Sequence, residues 1–308
     1  METDEIIAEA PDLDHLLPTV RATALLPASE RIQRVRAERW IGYPKAHEAL
    51  AKLEELFTHP SRQRMPNLLL VGPTNNGKTM IIEKFRRLHP SMLMADSDAE
   101  DLPIVRVQMP SEPTVTRFYG LLLYSMHAPP RPRARLDVIE TLALQIMRNT
   151  GVRMLVIDEL HNILAGSPTR QREFLALLRF LGNELRIPIV GVGTKEAYLA
   201  IRSDDQLENR FEPFVLPLWQ ENQELASLLA SFLAVLPLRH RSDEAVSSLL
   251  RYILDKTEGT IGEMATLLTR AAVLAIETGE ECIHRDLLLA VDYDSPTERR
   301  RAFERELI

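Results

Sequence analysis

The residues Gly72-Pro73-Thr74-Asn75-Asn76-Gly77-Lys78-Thr79 carry the clearest chemistry in this chain. A pair of glycines with four residues between them, followed by Lys and Thr, is a phosphate-binding pattern. The glycines let backbone N–H groups turn inward around phosphate oxygens. The helix that follows, opening near Met80, presents its N-terminal dipole to the same negative charge. Lys78 is expected to contact the β- and γ-phosphates of ATP, and the Thr79 hydroxyl to coordinate Mg²⁺. The segment Met154-Leu155-Val156-Ile157-Asp158-Glu159 is an apolar strand ending in two carboxylates. Asp158, at the carboxyl edge of a sheet, can hold Mg²⁺ through water, and Glu159 is placed to activate the attacking water as general base. Thr194 ends the run Ile189–Gly193, where its hydroxyl would stand between the two motifs. Arg210, in Leu207-Glu208-Asn209-Arg210-Phe211, is a candidate arginine finger for a neighbouring subunit's γ-phosphate. Arg202 competes for that role, and an ion pair with Asp204, Asp205 or Glu208 is the plainer reading.

The elements around these residues read as alternating strands and helices. Short apolar runs at Leu68–Val71, Ile104–Val107, Met154–Ile157 and Ile187–Val192 are expected strands. The helix between the last two places Phe174, Leu177, Leu178 and Leu181 on one face. Continuous apolar strands separated by helices predict a parallel sheet covered by helices on both faces. After Pro217 the strands are expected to stop, and a small all-helical domain follows with Ser242 capping one of its helices. The expected divisions are an N-terminal arm, extended or partly disordered, over 1–36, an α/β nucleotide-binding domain over 37–219, a helical lid over 220–293, and a charged exposed tail over 294–308.

Composition bounds the function classes. The 308 residues carry 37 Lys and Arg against 44 Asp and Glu, a formal charge of −7. That balance excludes a surface that grips nucleic acid everywhere, and leaves room for a local basic groove. Cys282 is the only cysteine, which rules out an internal disulfide and a cysteine-built zinc site. His161 and His284 show no metal-ligand spacing and read as structural. With no signal-peptide pattern and no membrane-length apolar run, the chain is expected to be cytoplasmic, with no membrane partner.

Taken together and in this order, the motifs resemble AAA+ P-loop NTPases, an α/β fold followed by a helical lid. More narrowly, WIGYP at Trp40–Pro44, IDELHN at Ile157–Asn162, GVGTKEA and LENRFEPF resemble the TniB/TnsC group of transposition ATPases, related to MuB and more distantly to helicase loaders. The resemblance implies an ATPase that forms a ring or helical filament on double-stranded DNA with little sequence preference. It also implies recruitment of a DDE-type transposase, with a TniQ-like adaptor, and disassembly on ATP hydrolysis. Carried onto this chain, Lys78 and Thr79 bind phosphate and metal, and Asp158 and Glu159 supply metal coordination and base. Thr194 acts as the first sensor, Arg210 as the finger, and Trp40 to Tyr43 lie near adenine. One departure is that Gly259–Met264 holds no second sensor arginine, so slow turnover without a partner is expected. In the resembling family the insertion before the Asp-Glu strand faces DNA. Here it holds Thr114, Thr116, Arg117, Arg131, Arg133 and Arg135, expected on a hairpin that tracks phosphates. A helicase-loader-like ATPase and a DNA-independent P-loop switch are the alternatives. At least one terminus is expected to dock a partner.

Overall fold

The computed structural model describes residues 12–93, 100–131 and 133–307; the acidic stretch before residue 12 lies outside them. The chain divides into two compact units, Pro44–Pro217 and a second that joins Met1–Tyr43 to Leu218–Ile308. Helices α1 (Pro18–Ala24) and α2 (Ala28–Arg36) open the described chain. The first unit then runs α3 (Pro44–Phe57), β1 (Asn67–Val71), α4 (Lys78–Leu88), β2 (Met92–Leu93), β3 (Glu100–Asp101) and β4 (Ile104–Gln108). It continues through α5 (Val115–Ser125), α6 (Leu136–Asn149), β5 (Met154–Asp158), a 3₁₀ turn over Leu160–Ala165 and α7 (Pro168–Leu185). It closes with β6 (Ile189–Gly193), α8 (Lys195–Arg202), α9 (Asp205–Glu208) and β7 (Phe211–Val215). The remaining helices are α10 (Gln223–Ala234), α11 (Asp243–Thr257), α12 (Ile261–Thr278), α13 (Arg285–Ala290) and α14 (Pro296–Glu306).

In the α/β unit the strands form one parallel sheet in the order β4-β5-β6-β1-β7. Every residue of β1, β5 and β6 is buried, so both faces of the central sheet are covered. Helix α7 buries Phe174, Leu177, Leu178 and Leu181, the stripe that the spacing predicts. The core between helices and sheet gathers Phe118, Tyr119 and Leu122 of α5 with Leu155 and Ile157 of β5.

The strands end before Pro217, as expected, but the apolar runs miss one of them. β7 is a further strand, parallel to β1, and Arg210 therefore precedes the last strand instead of following it. Glu212 and Pro213 break its apolar run, and Pro213 is tolerated because β7 is an edge strand paired with β1.

The helical unit also departs from expectation. Residues 18–36 form two helices where an extended arm is expected, and α2 packs against α12. A buried ion pair joins α2 to the residues that follow α12. Arg31, 2% exposed, donates from Nη1 to Glu281 Oε2 at 2.6 Å and from Nη2 to Oε1 at 2.5 Å. Leu16 just before α1, Ala24 of α1 and Val35 of α2 are also buried. The unit reaches beyond the expected 220–293 on both sides, since Arg39, Trp40 and Tyr43 group with it and not with the sheet. Tyr43 packs edge-on against Trp219 with ring centroids 5.2 Å apart. Ser242 stands at the start of α11, but its hydroxyl accepts from the Ile283 N–H at 2.9 Å. The tail is a helix with a Ser295–Glu298 capping box, held by Lys256 on Glu298 at 2.9 Å. Among the described residues no single helix is long and apolar enough to cross a membrane.

Removing one side of a buried ion pair strands the other charge in a poor solvent, at roughly 3–5 kcal/mol. Arg31→Met should therefore lower the stability of the helical unit by that order, read as an earlier thermal transition. Replacing both Arg31 and Glu281 with apolar residues should recover most of the loss. Burial alone would raise the Glu281 carboxyl, but Arg31 and the Arg239 N–H outweigh it and hold it below the usual range. A depressed folded pKa gives stability that is complete above the ordinary glutamate value, about 4.3. That stability is lost as pH falls through the lower folded value. Acid melts of wild type and the double variant should differ in that window, and the variant should be the flatter.

Candidate active site

The phosphate loop leaves the carboxyl end of β1 and enters α4. Gly72 has no room for a side chain, because a Cβ there would lie 2.8 Å from the Leu216 carbonyl oxygen. Gly77 takes φ 81°, a left-handed conformation that glycine adopts freely, at the N-cap of α4. Asn76 is buried and donates from Nδ2 to the Leu216 and Pro217 carbonyls at 3.1 and 2.9 Å. It fastens the loop to the end of β7, a supporting task the spacing does not reveal. Thr74 and Asn75 stand exposed at the loop tip, and Met80 is half-buried in the first turn of α4. The Gly72 N–H donates to Gly193 O at 3.2 Å, which ties the loop to β6.

Lys78 is buried and its ammonium donates to the Gly72 and Pro73 carbonyls at 2.8 and 2.6 Å. Burial pulls its pKa below the usual lysine range, against the opposing pull of Glu159 and Asp158. Those two carboxylates are thus close enough to be felt by the phosphate-loop lysine. Asp158, 3% exposed, accepts at Oδ2 from Thr79 Oγ1 at 3.4 Å and at Oδ1 from the Glu159 N–H at 2.9 Å. Strand order explains the meeting. β6 lies between β5 and β1, so Asp158, Thr194 and the loop occupy neighbouring strand tips at one edge. The Thr194 hydroxyl itself donates to Glu196.

Sequence spacing misses Arg106. This arginine of β4 donates to Asp158 Oδ2 at 2.6 Å and to Glu83 Oε1 at 2.7 Å. Its signal was present, an arginine between Val105 and Val107 in the strand IVRVQ, paired in register with Val156. Glu159 is also more constrained than its position suggests. It adopts φ 55° and ψ 37°, unusual for a residue with a side chain.

The donor set suits a hard cation. Thr79 and Asp158 offer oxygen, and among the described residues no cluster of three or more His, Cys, Asp or Glu could hold a metal alone. A magnesium ion in such a place takes few protein ligands and depends on phosphate oxygens.

Arg210 lies at the opposite edge of the sheet. Its carbonyl accepts from the Asn67 N–H at 2.9 Å, at the start of β1. Its guanidinium donates to the neutral Asn183 Oδ1 at 2.8 Å, whereas Arg202 faces Glu208 at 3.6 Å. Tyr43 belongs to the helical unit. The expected basic hairpin is instead two helices and their connection. The Thr114 hydroxyl caps α5 by accepting from the Arg117 N–H at 3.2 Å, while Thr116 and Arg117 lie in its first turn. Arg131 and Arg133 sit in the connection, and Arg135 is the N-cap residue of α6. The helices form because VTRFYGLLLYS and LDVIETLALQIM each bury an apolar stripe. Carboxylates just outside the basic run answer part of it, with Asp137 3.2 Å from Arg135 and Glu112 4.0 Å from Arg117.

The strand order, the phosphate loop after β1, the carboxylate pair ending β5 and the helical unit define an AAA+ ATPase. The family described as "Bacterial TniB protein" matches residues 31–221, well over half of the chain, and the chain belongs to that family. No curated protein matches. Among solved structures, the ORC2 protein of Aeropyrum pernix in ADPNP–ADP complexes is similar at 17% identity and TM-score 0.56, over 83% of this chain and 70% of that one. The ORC1 protein of Aeropyrum pernix in complex with DNA is similar at 16% identity and TM-score 0.55, over 85% and 65%. Domain III of the replication initiation protein DnaA from Thermotoga maritima is similar at 17% identity and TM-score 0.52, over 91% and 99%. At these identities the likeness is one of fold.

Proposed function

We propose that this chain is an ATP- and Mg²⁺-dependent regulator of DNA transposition. It assembles as a ring or helical filament on duplex DNA, recruits and activates a DDE-type transposase, directly or through a TniQ-like adaptor, and comes apart on ATP hydrolysis. The observation that carries this reading is membership of the TniB family across 31–221, the span that includes Lys78, Asp158, Glu159, Thr194 and Arg210.

In this reading Lys78 leaves the Gly72 and Pro73 carbonyls for the β- and γ-phosphates, and the loop N–H groups cradle them. Thr79 and Asp158 would hold the Mg²⁺, which would supply positive charge against that of the phosphates. Glu159 accepts the proton of the water that attacks the γ-phosphorus, and ADP leaves with the β-phosphate oxygen. Thr194 lies at the strand tip between the loop and Glu159, where it reports the γ-phosphate. Trp40 and Tyr43 contribute to adenine binding. Thr116, Arg117, Arg131, Arg133 and Arg135 track the phosphate backbone without reading bases. The fold is compatible with that role, since the similar ORC1 structure was solved in complex with DNA.

The test is binding to random-sequence duplex DNA with ATP, ADP or a slowly hydrolysed ATP analogue. Binding should be tight and cooperative with ATP or the analogue, and should fall to the ADP level in Lys78→Ala. Exchanging Arg131, Arg133 and Arg135 for Ala together should reduce the slope of log K against log salt by about 3. ATP binding with no DNA binding under any nucleotide would overturn the DNA role and put protein remodelling in its place.

A further inference from the structure

The AAA+ site described above uses Glu159 but leaves its neighbour His161 without a task. His161 lies on the 3₁₀ turn, and its Nε2 stands 3.1 Å from Glu159 Oε2. The other ring nitrogen, Nδ1, is buried and finds no hydrogen-bond partner among the described residues. It faces β6. A Cβ on Gly193 would come within 3.2 Å of His161 Nδ1 and 2.8 Å of Ala197 Cβ, so the glycine before Thr194 is what leaves space for the ring.

These contacts select a tautomer. A proton on Nδ1 would be a buried donor with nothing to receive it, the costlier kind of unsatisfied group. The proton therefore belongs on Nε2, which faces Glu159 Oε2 at 3.1 Å. Glu159 itself sits in the left-handed region, a conformation that the surrounding structure must hold. Nor is the carboxylate turned away from the chemistry. Glu159 acts on the charge of Lys78 in this same arrangement, ahead of Asp158.

We infer that His161 is a positioning residue for hydrolysis, its Nε2 standing against Glu159 Oε2 and aiming the carboxylate at the γ-phosphate water. The inference rests on the reading of Glu159 as general base. The ring is wedged between the tips of β5 and β6, so it also couples the carboxylate pair to the strand that ends at Thr194. Misplacing a reacting group by about 1 Å can cost on the order of a hundredfold in rate. The loss should fall on kcat, because Glu159 holds no part of the nucleotide.

Steady-state ATP hydrolysis by the full chain, with DNA present, provides the test. His161→Ala and His161→Phe should each lower kcat by roughly ten- to a hundredfold with KM for ATP unchanged. His161→Gln, which keeps an N–H donor, should recover part of the loss, whereas Phe, which keeps the ring volume, should not. In a Glu159→Gln background His161→Ala should add nothing, since residues that act as one unit are not additive. Equal loss in Gln and Phe, a rise in KM matching the fall in kcat, or a full further loss on Glu159→Gln would overturn the inference. If Glu159→Gln itself keeps normal turnover, the base assignment fails first. If Glu159→Gln is inactive and His161→Ala is normal, only the role of His161 fails.

Discussion

Arg210→Ala should bind ATP as tightly as wild type and lose on the order of a thousandfold or more in turnover, the usual contribution of an arginine finger. The sheet makes the argument. β7 is parallel to β1, with Phe211 beside Asn67, so Arg210 sits at the amino edge while the phosphate loop leaves the carboxyl edge. The five residues of β1 separate them by roughly 16 Å at about 3.3 Å per residue. Arg210 therefore cannot serve the phosphates of its own chain, and any finger role must be played in a neighbour's site. Its resting partner suits that role. Asn183 orients the guanidinium through a neutral amide, while Arg202 already faces a carboxylate. The measurement is complementation. Arg210→Ala and Lys78→Ala should each be inactive alone. Mixed, they should regain turnover, because one supplies an intact loop and the other an intact finger to the shared site. Arg210→Lys should stay low, since a point charge does not reproduce the planar fork. Normal activity in Arg210→Ala with loss in Arg202→Ala would move the finger to Arg202.

How much of this was legible in the residues depends on whether the determining contacts were local. The phosphate loop was legible because its requirements, two glycines and the start of a helix, are met within Gly72–Thr79. β5 was legible as an unbroken apolar run, and its carboxylates fall where a parallel sheet must place them. β7 was not, because Pro213 is unfavourable in a strand until the edge position that tolerates it is known. The first helices were hidden for a different reason. Arg31 looks like a solvated charge until Glu281, 250 residues later, is seen to bury it. Arg106 and His161 escaped similarly, since their partners Asp158 and Glu159 were already assigned other work. The basic hairpin was implied by the resemblance alone, and the apolar stripes of α5 and α6 prevailed.

Glu159→Gln should lower turnover by about two to four orders of magnitude, the range for loss of a general base, while leaving nucleotide affinity intact. The substitution is a narrow one. A carboxamide keeps the shape of the side chain, can still lie against His161 Nε2, and asks nothing new of the backbone at φ 55°. The phosphate contacts of Lys78 and the loop are untouched. What is lost is the capacity to take a proton from water. If hydrolysis dismantles the DNA-bound assembly, the same change should prolong that assembly, so complexes formed with ATP should decay as slowly as wild type does with the poorly hydrolysed analogue. The two readouts separate chemistry from assembly. Slow hydrolysis with normal release from DNA would keep Glu159 as the base and break the link between turnover and disassembly. Normal hydrolysis would move the base elsewhere, with Asp158 the poorer candidate, because Arg106 and Thr79 already converge on its Oδ2.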